Sequence, residues 1–135
     1  MTTLLAEALA ARQAGLCVVP PRQDGSKAPI AEPLVDEYGQ PVVGADGRQR
    51  WGWERWQREI STVDEISRWY ANGRTGIGYV CGSVSGNLEL FEFEDRQTYE
   101  AFLSTARAIG IGGLVDRIAD GYESETPGGG VHWLY

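Results

Sequence analysis

The stretch "SGNLELFEFEDRQTYEAFL" (residues 85–103) reads as a turn, a strand and the opening of a helix, and it places acids where a plain amphipathic strand would not. Alternate residues of a strand share a face. Leu88, Leu90, Glu92 and Glu94 therefore fall on one side, and Glu89, Phe91, Phe93 and Asp95 on the other. Each face is mixed. Asp95 is placed to cap the following helix, whose Tyr99, Phe102, Leu103 and Ala106 stand at i, i+3, i+4 and i+7.

Working outward from this unit, "TGIGYVCG" (75–82) reads as a strand before the "SGN" turn, and "GIGG" (110–113) as the stop of the helix after it. Residues 61–73 read as another helix. Ser61 and Thr62 stand three residues before Asp64 and Glu65, the spacing of a capping box; Val63, Ile66, Trp69 and Tyr70 form its apolar stripe, and Gly73 ends it. Residues 3–14 are Ala/Leu-rich and helical, with Gly15 as stop, and "LCVVP" (16–20) is a short buried strand. Residues 21–50, rich in Pro, Gly and Asp, suggest a loose hairpin or loop. Strands near 122–126 and 131–135 close the chain, hinged on "PGGG". This element order suits a mixed sheet with flanking helices, an α/β or α+β domain.

The length of 135 residues allows one domain at most. No apolar run reaches the length of a membrane span and no signal pattern opens the chain. Cys17 and Cys81, far apart in apolar runs, read as buried reduced thiols of a cytoplasmic protein. A net charge of -7 argues against a broad phosphate-binding surface, although the basic residues are eleven arginines and one lysine. "VHWLY" stops inside an apparent strand, so the chain is expected to be the N-terminal portion of a longer domain.

Four constellations bear chemistry. Glu92 and Glu94, at i and i+2, would project from one face with Cβ atoms about 6–7 Å apart, a pair suited to a hard cation or, equally, a solvated strand end. His132, the only histidine, follows Gly128, Gly129 and Gly130. Such a turn can present N–H groups to an anion, or simply close a hairpin before a packed histidine. Lys27 lies in the turn-rich "RQDGSKAPI", within reach of an anionic substrate or as a surface lysine. Trp51, Trp53 and Trp56 alternate with Arg50, Arg55 and Arg58, a mixture able to stack on nucleobases or to pack the loop onto the core.

Over most of its length the chain resembles the N-terminal bifunctional DNA primase/polymerase (prim-pol) domain of the archaeo-eukaryotic primase superfamily, found in plasmids, phages and integrated elements. The resemblance rests on "GLCVVPPRQDGSKAPI" (15–30), "ISTVDEISRWYANGRTGIGYVCGSVSGNLELFEFED" (60–95) and "ETPGGGVHWLY" (125–135). It implies an α/β unit packed on an RRM-like sheet, and template-directed nucleotidyl transfer with Mg²⁺ or Mn²⁺. Glu92 and Glu94 fall on the family's paired metal-binding acids, usually aspartates. Gly130 and His132 fall on its nucleotide-binding motif, with Gly129 beside them, and Lys27 on a recurrent lysine. The third metal-binding acid is expected beyond Tyr135. The implied partners are a DNA template and primer, nucleoside triphosphates, and a C-terminal helicase domain in the longer protein. The alternative is a non-catalytic nucleic-acid- or partner-binding module of a replication protein.

Overall fold

Asp95 opens the helix that the sequence places after the acidic strand. Its carboxylate accepts from the Thr98 N–H at 2.6 Å, and α3 runs Arg96–Ala108. The computed structural model describes residues 3–135. The chain divides into two compact units, Met1–Asn87 and Leu88–Tyr135.

In the second unit, β5 (Leu90–Phe93), β6 (Tyr122–Glu125) and β7 (Val131–Leu134) form an antiparallel sheet in the order β5-β7-β6. One face of this sheet meets α3 and a further helix, α4 (Gly112–Ala119). Phe93, Tyr99, Ala106, Val115, Val131 and Trp133 are buried there, with Phe102, Leu103 and Ile118 packed around them. The Phe93 ring stands edge-on to Trp133 at 4.9 Å and to Tyr99 at 5.1 Å. Such pairs add about 0.5–1.5 kcal/mol each beyond area burial. Trp133 Nε1 donates to the Glu123 carboxylate at 2.9 Å, and the Tyr99 hydroxyl donates to the same oxygen at 2.5 Å. The acid that satisfies the core's polar atoms comes from β6.

In the first unit, α1 (Leu4–Gln13) packs on α2 (Val63–Tyr70) and on β1 (Cys17–Val18), which pairs antiparallel with β4 (Tyr79–Val80). Ala8, Val18, Ile66 and Tyr70 form one core; Cys17, Val19 and Trp56 form a second. The α2 capping box forms on Thr62 and Glu65. Ser61 instead is buried and accepts from the Val18 N–H at 3.2 Å, tying the helix entry to β1. Of the hairpin or loop expected over 21–50, residues 32–52 take the hairpin form. β2 (Glu32–Pro33) pairs with β3 (Trp51–Gly52), and the Gln49 side-chain amide donates to the carbonyls of Leu34, Val42 and Arg50, organising the turns between them.

Four expectations are corrected. Every strand pairing among the described residues is antiparallel, so there is no mixed sheet. β5 and β6 do run the same way with helices between them, but β7 inserts between the two and separates them, a split β-α-β arrangement. "GIGG" (110–113) does more than stop a helix, since Gly112 and Gly113 open α4. Val63 is 54% exposed, since the side chain of a helix's first residue tilts back past the helix start. Cys81, one residue beyond β4, is exposed, whereas Cys17 is fully buried. No helix among the described residues is long and apolar enough to cross a membrane.

Candidate functional site

β7 sets the site. In the register of the three-stranded sheet, His132 lies opposite Glu92 on one side and Ser124 on the other. Phe91, Phe93, Val131 and Trp133 point to the helices, so strand alternation puts Glu92, His132 and Ser124 together on the helix-free face. Leu90, Leu134 and Tyr122 form the adjacent row of that face. Leu90 and Tyr122 are each 46% exposed. The open face is thus an apolar row beside a carboxylate–imidazole–hydroxyl row.

Glu89 and Tyr135 exchange both backbone hydrogen bonds, at 2.8 and 3.1 Å. Alternation along an antiparallel ladder then makes Glu92 and His132 a non-hydrogen-bonded pair, the kind whose side chains approach more closely. His132 Nε2 lies 3.3 Å from Glu92 Oε1. The contact does not form a hydrogen bond, and it is an ion pair only when the imidazole is protonated. Nε2 is shielded from solvent and has no hydrogen-bond partner among the described residues. Leaving such an atom unsatisfied costs about 1–3 kcal/mol, which a ligand oxygen or a cation would relieve.

Glu94 stands differently. β5 ends at Phe93, and Glu94 lies in the bend that leads to the Asp95 cap, exposed. The ladder that would fix an i, i+2 pair on one face stops before reaching it. Among the described residues no three or more His, Cys, Asp and Glu side chains cluster closely enough to hold a metal between them.

The glycine turn is closed from within. The Gly129 N–H donates to the Thr126 carbonyl and the Gly130 N–H to Thr126 Oγ1, both at 2.9 Å, while the Thr126 N–H donates to the Gly130 carbonyl at 2.9 Å. Gly129 has φ +87°, and a Cβ on Gly130 would stand 2.6 Å from the Phe93 carbonyl oxygen. The turn therefore needs glycine for a left-handed residue and for the contact with β5, and two of its N–H groups are already engaged.

Lys27 belongs to the first unit. It is exposed, with φ +61°, in a loop held by the Arg22 N–H to the Ala28 carbonyl at 2.7 Å and by Asp24, which accepts from the Ser26 N–H and hydroxyl. The tryptophan–arginine run is largely structural. Trp56 is 2% exposed, and the Arg55 guanidinium lies over its ring at 4.8 Å. Arg55 also bridges Glu32 at 2.7 Å and Glu65. The hydrogen bond to Glu32 holds the Arg55 proton more tightly than usual against the opposing effect of burial. Burial pushes the Glu65 carboxyl up, but the Thr62 N–H and Arg55 outweigh it and leave it below the ordinary range. Trp51, 61% exposed, is left available to a ligand.

Two features were not legible in the sequence. Glu123 is one; hydrogen bonds from Tyr99 and then Trp133 lower its carboxyl against a smaller effect of burial. A cleft lined by three arginines in the first unit is the other. Comparison with known proteins finds no matching family model, no matching curated protein and no matching solved structure.

Proposed function

We propose that the helix-free face of the β5-β7-β6 sheet is a divalent-cation-assisted nucleotidyl-transfer site of the DNA primase/polymerase kind. The observation that carries this reading is the pairing of Glu92 with an imidazole whose shielded Nε2 has no hydrogen-bond partner among the described residues. In the overall reaction a primer 3′-hydroxyl oxygen bonds to the α-phosphorus of a nucleoside triphosphate. The bond to pyrophosphate breaks, and the hydroxyl proton passes to water.

Glu92, with Glu94 one bend away, would hold the Mg²⁺ or Mn²⁺. Two carboxylates fit a small hard cation that takes its other ligands from water and substrate phosphates rather than from a protein cage. When bound, the ion supplies charge neutralisation at the transferring phosphate and activation of the attacking hydroxyl. His132 Nε2, as an N–H, would donate to a triphosphate oxygen. Gly130, where a Cβ would press on the Phe93 carbonyl, lets the turn lie close against β5 beside this row. Leu90, Leu134 and Tyr122 offer an apolar platform for a base or sugar. A primed DNA template and nucleoside triphosphates are the partners this reading implies.

The test is a Mn²⁺ titration in which free ion is read by electron paramagnetic resonance. Saturable binding is expected, with Glu92→Gln weakening it by about tenfold or more, the scale of a charge-assisted contact. His132→Ala is expected to spare the ion and weaken nucleoside triphosphate binding. Absence of saturable binding, or identical binding by Glu92→Gln, overturns the reading.

A further inference from the structure

Arg22, Arg68 and Arg74 line one open cavity of about 460 Å³ in the Met1–Asn87 unit, with Trp69 and the side-chain amides of Gln23 and Asn72. The chain as a whole is acidic, which makes three gathered guanidinium groups unexpected. Arg55, Arg96 and Arg107 each have a carboxylate partner. Arg22, Arg68 and Arg74 have none within ion-pair distance among the described residues. Asp24, on the same loop as Arg22, has its Oδ1 taken by the Ser26 N–H and hydroxyl.

The three arginines are nonetheless oriented. Arg22 Nε donates to the Pro29 carbonyl at 3.1 Å and Arg68 Nε to the Asp64 carbonyl at 3.4 Å. Arg74 Nε donates to the Trp69 carbonyl at 3.0 Å, capping the end of α2, and its Nη1 donates to the Pro21 carbonyl at 3.2 Å. A guanidinium has five N–H donors in a fixed fork. Anchoring through Nε leaves both terminal nitrogens of Arg22 and Arg68, and one of Arg74, to face a ligand. Forks held by backbone carbonyls around one cavity, with no carboxylate within ion-pair distance and only the more distant charge of Asp24 acting on Arg22, match the bidentate geometry of phosphate oxygens.

We propose that this cleft is a phosphate-binding site, taking the phosphoryl oxygens of a single-stranded nucleic-acid backbone or of a free nucleotide. It does not depend on the cation reading of the open sheet, because it uses other residues and needs no metal.

The experiment measures binding of a fluorescein-labelled oligothymidylate by anisotropy in EDTA and low salt, with ATP and inorganic phosphate as competitors. Arg68→Gln is the leading variant, since its single 3.4 Å backbone contact makes Arg68 the least tied of the three; Arg22→Gln is the second. Thermal melting checks that both fold. Arg117→Gln, an exposed arginine of the other unit, gives the same change of charge elsewhere. Affinity is expected to fall about tenfold in each cleft variant, with the slope of log K against log salt reduced by about 0.7 per lost phosphate contact, and to hold in Arg117→Gln. Binding of the oligonucleotide that ATP fails to displace assigns the site to a nucleic-acid backbone. Displacement by ATP ahead of inorganic phosphate assigns it to a nucleotide; both support the proposal. No binding of the oligonucleotide, binding unchanged in both folded cleft variants, or an equal loss in Arg117→Gln overturns it.

Discussion

Gly128, Gly129 and Gly130 are chemically identical, yet the hairpin assigns three different costs to replacing each by alanine. At Gly128 a Cβ meets nothing within 4 Å and φ is not left-handed. Alanine there should change stability by less than about 0.5 kcal/mol, or gain slightly from a stiffer unfolded chain. At Gly129 the space is also open, but φ is +87°, so alanine pays roughly 1–2 kcal/mol in backbone strain. At Gly130 the Cβ would lie 2.6 Å from the Phe93 carbonyl oxygen, 3.0 Å from Thr126 Oγ1 and 3.1 Å from the Glu94 carbonyl oxygen.

Ordinary contact begins at 3.4 Å, so the Phe93 carbonyl must retreat by 3.4 − 2.6 = 0.8 Å. Because that carbonyl is strand backbone beside a filled aromatic core, it has little room to give. Overpacking of this kind costs about 1–3 kcal/mol. One kcal/mol moves the midpoint of a domain this size by roughly 3–6 °C, so Gly130→Ala, at about 1–3 kcal/mol, should melt roughly 3–18 °C lower. Thermal melts followed by circular dichroism, with urea curves to check the slope, give the ranking. Alanine keeps the N–H, so the series isolates the added methyl group from the turn's hydrogen bonds. Three equal costs, or a series in which Gly128→Ala is worst, refute the steric account of "GGG".

Two further predictions concern the cores. Glu123→Ala leaves Trp133 Nε1 and the Tyr99 hydroxyl without their acceptor, and should cost about 1–3 kcal/mol in urea denaturation. With its folded pKa below the ordinary 4.5, Glu123 contributes stability above that pH and loses it as pH falls through the folded value; wild-type stability should therefore decline below about pH 4.5, and less steeply in Glu123→Ala. Cys17 is fully buried, its Sγ against the Trp56 and Glu59 carbonyls at 3.5 and 3.8 Å, whereas Cys81 is exposed. A thiol reagent should modify one cysteine promptly and the second only after denaturation, with Cys81→Ser removing the prompt reaction.

What the sequence could disclose was local. Asp95, Thr62 with Glu65, and the Tyr99–Ala106 stripe act through neighbours three or four positions away, and their helices formed where those spacings placed them. β5 was legible as a strand because Phe91 and Phe93 alternate with acids. The glycine start of α4 was not, since only its packing on the sheet and on α3 compensates for the weak helix propensity of Gly112 and Gly113. Glu123 and the arginine cleft were hidden for the same reason. Arg22 and Arg74 are far apart in the chain, and only the contact of the α2 end with the Pro21 loop brings them to one cavity.

The open-face row and the aromatic core are consequences of one register. Shifting β7 by a single residue against β5 would bring Trp133 opposite Glu92 and turn His132 toward the helices. Such a slip would also break the Trp133–Glu123 hydrogen bond and the edge-on contact with Phe93. The buried side of β7 thus holds the exposed side in place: Val131 and Trp133 supply apolar burial of about 1.5–3 kcal/mol each, and His132, between them, is carried to Glu92. Glu94 has no such restraint, lying past the last ladder residue. The register therefore fixes where β5 presents Glu92 and leaves Glu94 outside that constraint.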